Sequence, residues 1–166
     1  MRNPAIIPKK IYKLNELIHA VEVWKFLGKK ISFTNGVFDI LHQGHIYSLS
    51  QAAEEGDILI VGVNSDASVR RLGKGPERPI NDQNSRALVL ASLIMVDAVI
   101  IFDEDTPFQV ITAILPDVIV KGGDYRVEQV VGHREVMENG GRVVINQIVE
   151  GFSTTSIVAR MQSMKK

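Results

Sequence analysis

The sequence predicts one doubly wound, parallel five-stranded sheet of the α/β class, and three observations predict it. Short apolar runs alternate with segments of helical period along the chain. The run at residues 58–63, Ile-Leu-Ile-Val-Gly-Val, is apolar almost without interruption, as a strand covered on both faces must be. The three most unusual polar segments, at residues 34–45, 121–125 and 150–156, each follow an expected strand. That is where open α/β sheets collect their ligands.

Taken in order, residues 1–12 read as an arm interrupted by Pro4 and Pro8. Asn15 is expected to cap a helix whose apolar residues Leu17, Ile18, Val21, Trp24 and Leu27 recur with a period of about 3.6. Gly28 ends it. A strand at 30–34 leads into a glycine-containing turn, and a helix at 44–54 carries Ile46, Leu49, Ala52 and Ala53 on one face. After the strand at 58–63, Asn64-Ser65-Asp66 caps a short helix ending near Leu72. Residues 73–82, rich in Gly, Pro and charge, read as a surface loop. A helix at 83–94 presents Leu88, Leu90, Ala91 and Ile94, and a strand follows at 98–102. Pro107 opens the next helix after the acidic Asp103-Glu104-Asp105 turn. A strand at 117–121 ends in Gly122-Gly123-Asp124-Tyr125, and a helix at 133–139 is ended by Asn139-Gly140-Gly141. The last strand spans 142–145, and Ser153 opens a final helix. The expected organisation is a single globular unit, with residues 1–29 as an N-terminal arm and helix and residues 30–166 as the body.

Composition narrows the function. Hydrophobic residues at 45% and charged residues at 23% fit a soluble globular chain. Nineteen basic against nineteen acidic residues leave no net charge, so no nucleic-acid footprint is expected. There is no cysteine, which removes disulfides, thiolate metal sites and cysteine nucleophiles together. The apolar runs are far too short to span a bilayer, and the N-terminus lacks a signal-peptide pattern. A cytoplasmic protein with no membrane partner is the expectation.

The segment at residues 34–45 has a physical logic of its own. Gly36 allows backbone amides to approach a phosphate, and Gly44 lies where a helix begins, so its amides face an anion. His42 and His45, three residues apart, fall on one side of that helical start and reach adjacent phosphate oxygens. A single histidine near a helix end is usually a solvated cap; two around a glycine after a strand point to phosphate. A zinc site on the same pair would need a carboxylate such as Asp39, because only His19 and His133 remain as further histidines. A dinucleotide-binding oxidoreductase is set aside, since no Gly-x-Gly-x-x-Gly follows the first strand.

Thr34-Asn35-Gly36-Val37-Phe38-Asp39-Ile40-Leu41-His42-Gln43-Gly44-His45 resembles the His-x-Gly-His signature of the cytidylyltransferase-like nucleotidyltransferases, whose fold is Rossmann-like. Ser153-Thr154-Thr155-Ser156-Ile157 resembles their second motif. Residues 61–72 and 120–125 are similar to the adenylyltransferase part of bacterial ADP-heptose synthase, and the likeness runs from about residue 11 to residue 160. The resemblance implies an enzyme that transfers AMP from ATP to D-glycero-β-D-manno-heptose 1-phosphate, giving ADP-heptose and pyrophosphate for lipopolysaccharide precursors. The acceptor attacks the α-phosphorus in line, so catalysis rests on positioning and charge stabilisation.

By that resemblance, His42, His45, Lys74 and Arg86 are the catalytic residues. Thr34, Asn35, Gly36, Phe38, Gly44, Gly123, Asp124, Ser153, Thr154 and Thr155 contact the nucleotide, and Asp39, Asn64 and Asp66 lie by the acceptor. Asn64 and Asp66 are equally good helix caps, Asp124 fits an ordinary turn, and Lys121 fits a solvated strand end. Mg²⁺ is implied as the companion of ATP, with no protein-held metal. A homodimer is expected, as is a separate sugar kinase, since a chain of 166 residues leaves no room for a fused one. The same chemistry on another acceptor, such as CDP-glycerol formation from glycerol 3-phosphate, is the nearest alternative. Ile148 stands where the glycerol-phosphate enzymes carry arginine, which speaks against it. A non-catalytic nucleotide-binding module is the alternative of another class.

Overall fold

The computed structural model describes residues 3–147 apart from Lys74 and Pro76. Among the described residues its centre is a sheet of six parallel strands: β1 (Ile11–Tyr12), β2 (Ile31–Gly36), β3 (Ile58–Asn64), β4 (Ala98–Phe102), β5 (Val118–Gly122) and β6 (Arg142–Asn146), in the order β1-β4-β3-β2-β5-β6. The helices are α1 (Leu14–Phe26), α2 (Gln43–Glu54), α3 (Asp66–Arg71), α4 (Gln83–Ala91), α5 (Phe108–Ile114) and α6 (His133–Glu138). From β2 the chain winds outward through β3 to β4, then returns to the far side of β2 for β5 and β6. The winding direction therefore reverses between β2 and β5, which opens a crevice at their carboxyl ends.

The doubly wound sheet matches expectation, but it has six strands rather than five. In the arm, Pro4 and Pro8 open two short 3₁₀ turns, Pro4–Ile6 and Pro8–Lys10. The chain then emerges extended, pairing Ile11 with Val99 and Tyr12 with Ile100. The Lys10 ammonium donates to the Val96 carbonyl at 2.7 Å beside this added edge. A two-residue strand is too short to show any alternation in sequence.

Side-chain alternation explains the apolar run at 58–63. Leu59, Val61 and Val63 pack with Leu49 and Ala52 of α2 and Ala87, Leu90 and Ala91 of α4. Ile60 faces the other way, with Phe33, Ile100 and Ile119, under α1, α5 and α6. Gly62 is required by contact: a Cβ there would lie 2.9 Å from Phe33 Cζ.

Two helices differ from the sequence reading. Helix α1 starts two residues earlier, at Leu14 with Lys13 in the cap position, and its first turn is closed by Glu16, whose carboxylate accepts the Lys13 backbone N–H at 3.0 Å. Asn15 thus lies inside the helix. Helix α4 ends at Ala91; Ile94 is 94% exposed and Leu88 45%, while the buried stripe is Arg86, Ala87, Leu90 and Ala91. Small residues beside Leu90 let α4 sit close to the sheet, while Leu88 and Val89 are turned outward.

A repeated device at the amino edge of the sheet went unread in the sequence. Asp57, Asp97 and Asp117 each precede a strand, and each clips a neighbouring one twice. Their carboxylates accept the backbone N–H of Lys30 (2.9 Å), Leu59 (2.8 Å) and Ile31 (2.7 Å). Their own N–H groups donate to the carbonyls of the same three residues.

Candidate functional site

Strand β2 delivers Asn35 and Gly36 to the carboxyl edge, and the chain then turns sharply toward α2. Phe38 holds φ at +50°, a left-handed conformation that a bulky side chain adopts at a cost of roughly 1–2 kcal/mol. The turn folds the phenyl ring back over Gly36, where an added Cβ would stand 3.0 Å from Phe38 Cε2. Gly36 is therefore needed to admit the Phe38 ring as well as to expose backbone.

His42, fully extended, occupies the cap position of α2, and Gly44 is the second residue of the helix. The first-turn N–H groups of a helix this long lack helical acceptors and carry partial positive charge at that end. The His42 and His45 rings stack at 3.8 Å between centroids with planes 23° apart, and the Phe38 ring lies 5.4 Å from His45. Burial lowers the His42 imidazole below its ordinary value of 6.5. At neutral pH it is an uncharged donor, able to give an N–H to an oxyanion without an ion pair. The spacing at 42 and 45 places both rings on one side of the helical start; their stacking is visible only in the structure.

Two charged residues expected to touch ligands are engaged inside the protein instead. Asp39 is 3% exposed, and its carboxylate accepts the N–H groups of Ile80 and Asn81 (2.9 Å each) and is ion-paired with Arg78. Burial alone would raise its pKa; the donors from Asn81, Ile80 and Arg78 outweigh burial and hold the group below 3.8. Instead of facing an acceptor, Asp39 fastens the end of the 73–82 loop to the histidine turn. Arg86, expected to reach phosphates, has a fully buried side chain. Its Nη1 donates to the Val37 carbonyl (2.7 Å), Nε to the Asn81 carbonyl (3.0 Å) and Nη2 to Asp66 (2.7 Å). Asp66, expected by the acceptor, is consequently paired with Arg86. The loop residues Arg78 and Asn81 had drawn no attention in the sequence, because their partner lies about forty positions away.

A cleft of about 320 Å³ opens at the crevice between β2 and β5. It gathers Asn35, Gly36, Asn64, Lys121 and Tyr125, with Asp105 at its rim. The Lys121 ammonium lies 3.4 Å from Asn35 Oδ1 and 5.8 Å above the Tyr125 ring. Asn64, only 4% exposed, donates its amide to Ser68 Oγ at 3.0 Å. Gly36 and Val37 line the cleft, and the chain runs from them through Phe38 to the histidine pair. Thr34 is buried and, by strand alternation, faces away from Asn35. Gly123 holds φ at +123° and donates to the Asn146 carbonyl at 3.0 Å, and Asp124 is exposed in the turn beyond. Asn146, at the same edge, is buried, and its side-chain nitrogen has no hydrogen-bond partner among the described residues. Lys74, Ser153, Thr154 and Thr155 lie outside the described residues.

A zinc centre on His42 and His45 finds no third ligand in Asp39, which is committed to the loop. Among the described residues, no group of three His, Cys, Asp or Glu side chains is placed to hold a metal. No described helix is long and apolar enough to cross a membrane.

Residues 33–160 match the family model described as cytidylyltransferase-like. The chain is 58% identical over 147 residues to the bifunctional protein HldE of Rhodopseudomonas palustris strain BisB18, covering 89% of this chain and 30% of the relative. It is 53% identical over 152 residues to the protein of the same name from Rhodospirillum rubrum, covering 92% and 30%. The chain thus spans about a third of the length of these relatives. A crystal structure described as the lipopolysaccharide core biosynthesis protein of Thermoplasma volcanium superposes with a TM-score of 0.61 at 32% identity, covering 74% of this chain and 98% of that one. The pantoate–β-alanine ligase of Francisella tularensis shares the fold at a TM-score of 0.57 and 13% identity, covering 94% and 78%.

Proposed function

The chain belongs to the cytidylyltransferase-like family, and on that premise we propose that it is an adenylyltransferase of ADP-heptose synthesis. It takes AMP from MgATP and D-glycero-β-D-manno-heptose 1-phosphate as acceptor. The observation that carries the reading is the stacked His42–His45 pair at the amino end of α2, beside the crevice at the sheet's carboxyl edge. The 58% identity to bifunctional HldE supports the choice within the family.

In this reaction an acceptor phosphate oxygen attacks the α-phosphorus as the bridging oxygen to the β-phosphorus departs with pyrophosphate. Charge accumulates on the transferring and leaving oxygens. Two imidazole N–H groups and the first-turn amides of α2 meet that charge, with no covalent intermediate. The cleft with Lys121 and Asn64 is assigned to a second anionic or polyhydroxyl group on the same face of the sheet. Mg²⁺ enters with the triphosphate as part of the substrate. Lys74, Ser153, Thr154 and Thr155 are assigned to the triphosphate through the resemblance, and a cytoplasmic homodimer is the proposed setting.

The acceptor must first be phosphorylated at the anomeric oxygen. The expectation of a separate kinase gives way here: the relatives are named bifunctional, and we assign the phosphorylating activity to their other portion.

The test is pyrophosphate release with each nucleoside triphosphate paired in turn with heptose 1-phosphate and glycerol 3-phosphate. ATP with heptose 1-phosphate is the productive pair; release only with CTP and glycerol 3-phosphate overturns the assignment in favour of the cytidylyl reading. His45→Ala lowers turnover by roughly two to four orders of magnitude with the fold intact, the usual loss for a transition-state donor.

A further inference from the structure

Arg86 is a buried cation, yet it touches the site's left-handed residue at one remove. Its guanidinium joins three segments far apart in sequence: the Val37 carbonyl, the Asn81 carbonyl and the Asp66 carboxylate. A planar fork with donors fixed in one plane can do this; a lysine, with one compact charge, cannot span the three.

Val37 immediately precedes Phe38, and Asp39 immediately follows it. The Val37 carbonyl is fixed by Arg86, and the Asp39 carboxylate by Ile80, Asn81 and Arg78. The left-handed residue is thereby held at both neighbours, and that is what keeps an unfavourable backbone conformation in place. The conformation has one visible product: the Phe38 ring lies against Gly36 on one side and 5.4 Å from the His45 ring on the other, with His42 stacked beyond. A chain of contacts runs from guanidinium to carbonyl to phenyl to imidazole.

We propose that Arg86 is a positioning residue that sets the orientation of His45 and His42 through Val37 and Phe38, without itself touching phosphate. Its activity arm rests on the nucleotidyl-transfer reading above; its spectroscopic arm does not. A clamp that served stability alone would leave the imidazoles and the ratio of kcat to KM unmoved once the protein had folded.

The experiment compares wild type, Arg86→Lys, Phe38→Leu and the double variant, each first shown to be folded by circular dichroism. In ligand-free protein, the ring protons of His45, shifted by the adjacent phenyl and imidazole, move in both single variants. In turnover with MgATP and the acceptor, kcat falls about tenfold to a hundredfold in each single variant, the scale of an ångström of misplacement, while KM for ATP changes less than about threefold. The double variant is no worse than about threefold below the poorer single, because both act through one contact chain. Should Arg86→Lys not fold, Asp66→Asn, which loosens the same guanidinium at a partly exposed partner, takes its place.

Unmoved His45 signals, losses that multiply in the double variant, or a loss confined to KM for ATP each overturn the proposal. The last would mean direct contact with the triphosphate. If wild type itself releases no pyrophosphate with any pair, the functional reading fails, and the His45 signals still decide the positioning role.

Discussion

Replacing Asp39 with alanine removes the acceptor on which the end of the 73–82 loop converges. The Arg78 guanidinium and the N–H groups of Ile80 and Asn81 then face a vacated site. Water cannot restore much of what is lost, because Asp39 is 3% exposed and the Arg78 side chain 12%. Deleting one partner of a buried, hydrogen-bonded ion pair costs about 3–5 kcal/mol. For a chain of this size each kcal/mol lowers the melting midpoint by about 2–4 °C, so Asp39→Ala melts about 6–20 °C below wild type at pH 7. Arg78→Ala leaves both backbone donors on the carboxylate and costs less, about 1–3 kcal/mol. The pH dependence supplies a second check. The Asp39 carboxyl is held below its unfolded value of 3.8, so its stabilisation is complete above that value and is lost as pH falls through the folded value. Melts of wild type and Asp39→Ala, followed by circular dichroism from pH 7 to pH 2, therefore converge only in the acid range below 3.8. A variant melting within about 2 °C of wild type at pH 7, or a gap unchanged through acid, refutes the reasoning.

Further outcomes follow from other positions. In ligand-free protein, the His42 imidazole titrates below 6.5 by nuclear magnetic resonance; a value above 6.5 contradicts its burial. Gly62→Ala places a methyl 2.9 Å from Phe33 Cζ and 3.3 Å from Phe102 Cε1, an overpacking that costs about 1–3 kcal/mol in urea unfolding. Wild-type stability in that variant would mean the two rings yield freely. Asp117→Ala removes the acceptor of the Ile31 N–H and lowers stability by about 1–3 kcal/mol, with turnover unchanged. A fall in turnover without a loss of stability would assign Asp117 some other role.

What could be read from the sequence was whatever left a local pattern. The apolar run at 58–63 announced a strand buried on both faces, and the His42–Gly44–His45 spacing announced the start of a helix with both imidazoles on one side. Strand β1 was invisible because two residues carry no period, and its pairing with β4 is decided by an edge that forms eighty-eight positions later. The surroundings of Arg86 were illegible for the converse reason. A sequence displays its charge, but its partners lie 49, 5 and 20 positions away, and only folding shows that they enclose it. Asp39 was placed beside an acceptor because it adjoins the histidines, while the donors that occupy it belong to a loop 41 and 42 positions on. Helix α4 looked amphipathic through Leu88 and Ile94, but close packing on the sheet favoured its alanines. Ser153, Thr154 and Thr155 were named from resemblance and lie outside the described residues.

The three aspartates at the amino edge of the sheet have a consequence for how such a molecule can be altered. They dictate which residues stand side by side in the central strands, at the end farthest from the histidines and the crevice. Alignment of the framework and the chemistry it carries are thus written in different residues at opposite rims. Substitutions at the reactive rim can change what is recognised there while the strands stay in step. The framework is in that sense a chassis whose fittings can be exchanged.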